Sequence, residues 1–185
     1  MKLLIAREAQ FLALPATVSR ERLLAALAMV ESAGGRDRRF RFEGAYYVDG
    51  FYFKRSPEMQ ERYNRWQLGI QKSMLEVAGR LTACSFGPWQ VLYTVAAELG
   101  FDGPPWELAD PKVNLHFAIK LINQRHAHHV QEMGEEQAVT LLARAYNAGS
   151  VKSKTIPEKY MSRAWANYSD PELFEKLVVL SAYQR

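Results

Sequence analysis

The residues whose types and spacing could do chemistry are three carboxylates, a group of histidines and one cysteine. Glu31 follows Leu27 by four residues and Leu24 by seven, which puts its carboxylate on the apolar face of a helix. A carboxylate in that position is costly unless it is protonated or partnered. Partial burial and the negative end of the helix dipole both favour the neutral acid, and a carboxylic acid kept protonated near neutral pH is what a general acid requires. The plain alternative is a polar last turn with Glu31 reaching to water. Glu43 and Asp49 lie twelve and eighteen residues further on, where either could hold a water across a cleft or simply be solvated loop charge. Among His116, His126, His128 and His129, only His126 and His129 share a helix face at i, i+3, and no carboxylate motif accompanies them. A solvated histidine cluster and no metal site are expected. Cys84, alone in the sequence, allows neither an internal disulfide nor a cysteine-based zinc framework, and reads as a small buried hydrophobe.

The elements that must position these groups are read from hydrophobic period and punctuation. Ser19 is an N-cap, and Leu23, Leu24, Leu27 and Val30 recur at helical spacing to Ser32 before Gly34 and Gly35 stop the helix. The segment from Arg41 to Arg55, rich in Tyr, Phe and Gly, predicts a loop or short hairpin turning at Asp49-Gly50. Ser56-Pro57-Glu58 opens a helix to about Leu81, with a break at Gly69 or Gly79. A loop at Cys84 to Pro88 precedes a helix from Gln90 to Leu99. Asp110-Pro111 starts another, carrying Val113, Phe117 and Leu121 with Leu115, Ile119 and Ile122 beside them, and Gly134 to Ala148 a further one. Ile156-Pro157 opens a segment to about Tyr168, and Asp170-Pro171 a last helix through Leu173, Phe174, Leu177 and Leu180. The pattern predicts an all-α globular domain, one domain over residues 1–185.

Four pieces then fall in order along the chain. They are Glu31-Ser32-Ala33, Ser85-Phe86-Gly87-Pro88-Trp89-Gln90-Val91, Asp110-Pro111 with Asn114, and Ala145-Tyr146-Asn147-Ala148-Gly149. Together they resemble the soluble lytic transglycosylases of the lysozyme-like superfamily, enzymes that cleave peptidoglycan glycan strands, over about residues 19–168. The insertion after the first helix, with Arg41-Phe42-Glu43, is similar to phage-type members. Trp89 stands where the family's Gly-Leu-Met-Gln motif has methionine, and its ring is expected to stack on a sugar. Ile156-Pro157-Glu158-Lys159-Tyr160-Met161 looks like the family's cleft-floor stretch, at compressed spacing.

The resemblance implies a lysozyme-like fold of the goose-type kind and a reaction with one carboxylate. Glu31 would protonate the bridging oxygen between N-acetylmuramic acid and N-acetylglucosamine while the substrate's acetamido group stabilises the cation. It would then take the proton of the muramic C6 hydroxyl as the 1,6-anhydro ring closes. An intramolecular nucleophile is already at high effective concentration, so the usual second carboxylate is not required. No cofactor enters. The resemblance also implies substrate contacts at Ser32, Ser85, Gly87, Trp89, Gln90, Tyr146, Asn147 and Tyr160, with Tyr146 bonding near Glu31 and Asn147 shaping a turn. Two alternatives stay open: a hydrolytic muramidase using Glu31 with Glu43 or Asp49, and a catalytically silent glycan-binding virion domain.

Composition is compatible with this. The 185 residues carry 24 Lys and Arg against 20 Asp and Glu, a net charge of +4, with 48% hydrophobic residues. Such a chain can bury a core without staples, so disorder and fibrous repeats are excluded. Arg36, Arg38, Arg39 and Arg41, interleaved with Phe40 and Phe42, make nucleic acid conceivable, but the motifs point to an anionic wall polymer and not to nucleic acid. Arg7 and Glu8 interrupt the apolar start before it reaches signal-peptide length, and no segment approaches a membrane span. The expectation is a monomeric phage lysis enzyme, made in the cytoplasm and acting on the periplasmic wall after release by a permeabilising partner or delivery by a virion.

Overall fold

Capping and apolar spacing decide where the helices start. The computed structural model describes residues 1–37, 40–43, 78–152 and 158–178. Within them α1 is Lys2–Glu8 and α2 is Arg20–Ser32, whose cap Ser19 accepts from the Arg22 N–H at 3.4 Å. Strands β1 (Arg41–Phe42), β2 (Cys84–Phe86) and β3 (Val91–Leu92) precede α3 (Tyr93–Glu98) and α4 (Pro111–Arg125). Asp110 caps α4 by accepting from Lys112 and Val113 N–H at 2.8 and 3.0 Å, and proline at its first position costs no hydrogen bond. Helices α5 (Glu135–Ala148) and α6 (Glu158–Ser169) complete the described set.

The chain is mostly helical with one small antiparallel sheet in the order β1-β2-β3. Helix α2 runs through the interior, with Leu23, Leu24, Ala25, Ala26, Leu27 and Ala28 all buried. Helix α6 packs on both α2 and α5, while α1 packs on α2 and α4. Buried Leu115, Phe117, Ile119, Leu121 and Ile122 carry α4 into the same core.

Several boundaries differ from the sequence reading. Cys84 to Pro88 is not a loop leading into a helix at Gln90, because β2 and β3 form a hairpin with Ser85 opposite Leu92 and Phe86 opposite Val91. Helix α3 therefore begins only at Tyr93. The last predicted helix shortens to a 3₁₀ turn, Leu173–Lys176. The segment closes back on the end of α2, where the Val178 N–H donates to Gly34 O at 3.1 Å. Gly34 has φ +72°, and a Cβ there would lie 2.9 Å from Lys176 O, so the close approach of the two segments needs a glycine. Cys84 is buried, as expected, with its thiol 3.5 Å from Arg80 O. His126 is buried too, so it does not belong to a solvated cluster; His116, His128 and His129 are exposed. The predicted turn at Asp49-Gly50, residues 56–77 of the helix predicted from Ser56, Ile156-Pro157, Leu180, Arg38 and Arg39 lie outside the described residues, and the predicted end of that helix is a 3₁₀ turn, Gly79–Ala83.

Candidate active site

Helix α2 delivers Glu31 in its last turn and then stops: Ala33 takes a left-handed conformation at φ 51°, and its N–H bonds to the carbonyls of Ala28 and Met29. Glu31 is half-buried and lines a cleft of about 240 Å³. Strand β1 contributes Arg41 to this cleft, with Glu43 just beyond it, and the β2–β3 hairpin contributes Ser85 and Gln90. The end of α5 contributes Tyr146 and Asn147. Val91, Leu92, Val95, Leu121 and Arg125 complete another stretch of the lining.

The electrostatics of Glu31 follow from these neighbours. Burial raises its pKa above the ordinary carboxylate value, and the charge of Glu43 adds to the rise. Hydrogen bonds from Tyr160 and Asn147 and the positive charge of Arg41 oppose it without reversing it. The Tyr160 hydroxyl donates to Glu31 Oε1, and burial together with the carboxylate raises the phenol's own pKa, so it remains a donor. Arg41 Nε is 2.5 Å from Glu43 Oε1, so the cation beside Glu31 arrives already paired. The acid is thus held in place with its pKa still above the ordinary carboxylate value.

Of the residues proposed to touch substrate, Ser85, Gln90, Tyr146 and Asn147 line the cleft with Glu31 and Glu43. Ser85 donates to Gln90 Oε1 at 3.0 Å, and Gln90 Nε2 donates to Gly87 O at 2.9 Å. Gln90 itself sits at φ +47°, a conformation non-glycine residues rarely take. Asn147 does more than shape a turn, since it interacts with both Glu31 and Tyr160.

Four others do not line it. Trp89 is fully buried and its indole N–H donates to Leu24 O at 2.8 Å, so its ring is core and is not offered to a sugar. Ser32 is buried with its hydroxyl on Pro88 O at 2.6 Å, tying α2 to the hairpin. Gly87, at φ +70°, makes its close approach to Asn114: a Cβ would fall 2.5 Å from Asn114 Cγ. Tyr160 is absent from the lining and serves to hold Glu31. Tyr146 does not bond Glu31 either; its hydroxyl donates to Trp89 O at 2.7 Å. Asp49 lies outside the described residues.

The sequence reading undervalued three residues. Asn114 is fully buried, accepts from the Trp89 N–H and donates to Phe86 O, both at 2.8 Å, and so fixes the hairpin to α4. Arg41 reads as one of four clustered arginines, although its spacing of two from Glu43 signals a strand-edge pair. Arg125 reads as a cation suited to a helix C-terminus, and nothing in its spacing places it in a cleft. Among the described residues no cluster of three or more His, Cys, Asp or Glu side chains could hold a metal ion.

No family model, curated protein or solved structure matches the chain.

Proposed function

We propose that the protein is a peptidoglycan lytic transglycosylase of lysozyme-like fold. The observation that carries the reading is Glu31: a half-buried carboxyl group in a polar cleft, with its pKa raised by burial and one oxygen held by the Tyr160 hydroxyl. The ordered motifs around Glu31, Gln90, Asn114 and Tyr146 are the reason for choosing this substrate over other glycans.

In this reading Glu31 gives its proton to the bridging oxygen as the bond from that oxygen to the muramic C1 breaks. The carboxylate so formed is stabilised by Tyr160, Asn147 and Arg41, the same groups that already oppose the rise in its pKa. It then accepts the C6 hydroxyl proton as O6 bonds to C1, which returns the acid and closes the 1,6-anhydro ring. Ser85, Gln90 and Tyr146 form the walls against which the sugars lie. The setting we propose is a phage lysis enzyme acting on the periplasmic wall.

Glu43 favours a second reading, because it lines the same cleft as Glu31. A carboxylate there could activate a water and make the enzyme a hydrolytic muramidase. Its bond to Arg41 counts against that role, since the oxygen nearest Arg41 is already engaged. Mass spectrometry of digested peptidoglycan separates the two: 1,6-anhydromuramic ends are expected, and reducing muramic ends would establish the hydrolase instead. If no fragments are released, both enzymatic readings fail.

A further inference from the structure

Part of the cleft is left unused by the chemistry just proposed. Val91, Leu92, Val95 and Leu121 give that part aliphatic walls, and Arg125 belongs to the same lining. The charges that act most on Glu31 are those of Arg41 and Glu43, so Arg125 has no evident part in tuning the acid. It enters from the last turn of α4 and donates from Nη2 to Glu98 Oε2, at the end of α3. Both side chains are about three-quarters covered, at 23% and 24% exposure.

A guanidinium carries five N–H donors in a planar fork suited to a carboxylate. Among the described residues, Arg125 commits one donor from its side chain to Glu98. Aliphatic walls lower the local dielectric and strengthen what the remaining donors can do. A cation with spare donors beside an apolar wall suits a carboxylate whose neighbouring carbon bears a methyl group.

We propose that this part of the cleft is a subsite for an α-methyl carboxylate, read by Arg125, with Glu98 holding the guanidinium in place until the ligand arrives. The proposal rests on the peptidoglycan reading, because that polymer supplies such a group twice. One source is the lactyl carboxylate of muramic acid in strands stripped of peptide; the other is the terminal alanine of an intact stem peptide.

The test is calorimetric binding in a Glu31→Gln background, where turnover does not intervene. Four probes are used: a muramyl tetrasaccharide with free lactyl carboxylates, the same with those groups capped as methyl amides, a stem-peptide-bearing tetrasaccharide ending in alanine carboxylate, and its terminal amide. Arg125→Gln is expected to weaken one carboxylate probe roughly tenfold, as for loss of a charge-assisted hydrogen bond, and to leave its capped partner unchanged. The probe that loses affinity identifies the source. Glu98→Gln, which releases the guanidinium, is expected to tighten the same probe severalfold. Equal effects of Arg125→Gln on carboxylate and capped probes, or no effect, overturn the subsite. If Arg125→Gln has no cooperative thermal transition, Glu98→Gln decides, and failure to tighten overturns the proposal. If the Glu31→Gln protein binds none of the four probes, it is the peptidoglycan reading that fails.

Discussion

Two polar networks lie within a few residues of each other and are built on opposite plans. Around the β2–β3 hairpin, Ser32, Trp89, Asn114 and Tyr146 each bond to main-chain groups: Pro88 O, Leu24 O, Phe86 O with Trp89 N–H, and Trp89 O. Around Glu31, the side chains of Tyr160, Asn147, Arg41 and Glu43 bond side chain to side chain around ionisable groups. The first plan satisfies buried groups with partners that cannot titrate, which makes it a fixed frame. The second leaves a carboxyl group whose protonation its neighbours push in opposing directions. A proton can therefore leave and return in the cleft without disturbing the frame that positions it.

The comparison breaks most visibly at Asn114. Asn114→Ala strands the Trp89 N–H and the Phe86 carbonyl in the interior, and a loss of about 4 kcal/mol in urea unfolding is expected. A loss below about 1 kcal/mol would mean that the hairpin does not depend on this frame.

The frame side also has a flaw. His126 is buried, and among the described residues its Nε2 has no hydrogen-bond partner. Burial lowers its pKa from 6.5 to about 4 against the opposing pull of a hydrogen bond with the Arg125 backbone, and the charges of Arg125, His129 and His128 push the same way as burial. The unfolded chain takes up this proton below pH 6.5 while the folded chain resists until about pH 4. Stability is therefore unaffected by His126 above 6.5 and falls as pH drops between those values, by about 3 kcal/mol in all. Unfolding of wild type and His126→Phe at pH 7 and pH 4 measures it; parallel losses in the two proteins would remove His126 as the cause.

The two tyrosines sharpen the contrast at smaller scale. Tyr146→Phe removes a donor from a buried carbonyl and is expected to cost about 1–2 kcal/mol of stability while leaving the alkaline limb of the pH–rate profile nearly in place. Tyr160→Phe is expected to cost less stability but to move that limb upward, because its hydrogen bond lowers the Glu31 pKa. A downward shift, or the same shift from both variants, would erase the distinction between the networks.

Helix α2 and its acid were legible in the sequence because their causes are local: the Ser19 cap, leucines at helical spacing, and a carboxylate in register with them. Helix α4 was legible through Asp110 for the same reason. The hairpin was not, since Cys84–Phe86 is buried at all three positions and shows no alternation. The motif position of Trp89 suggests a sugar platform, and nothing local contradicts it, because the partner of its indole N–H, Leu24 O, lies 65 residues away. The 173–178 segment looked helical by its leucines, yet its packing against Gly34 has no local signature. Likewise, the sequence placed Tyr160 near the cleft, while only the packing of α6 on α2 sets its hydroxyl on Glu31.

The central claim is that Glu31 is the acid on which turnover depends, and the most direct test is release of soluble fragments from purified peptidoglycan by Glu31→Gln beside wild type, with matched thermal unfolding of the two proteins. The account predicts a fall of at least about a thousandfold with the unfolding transition preserved. Release within about tenfold of wild type by a normally folded variant would contradict it.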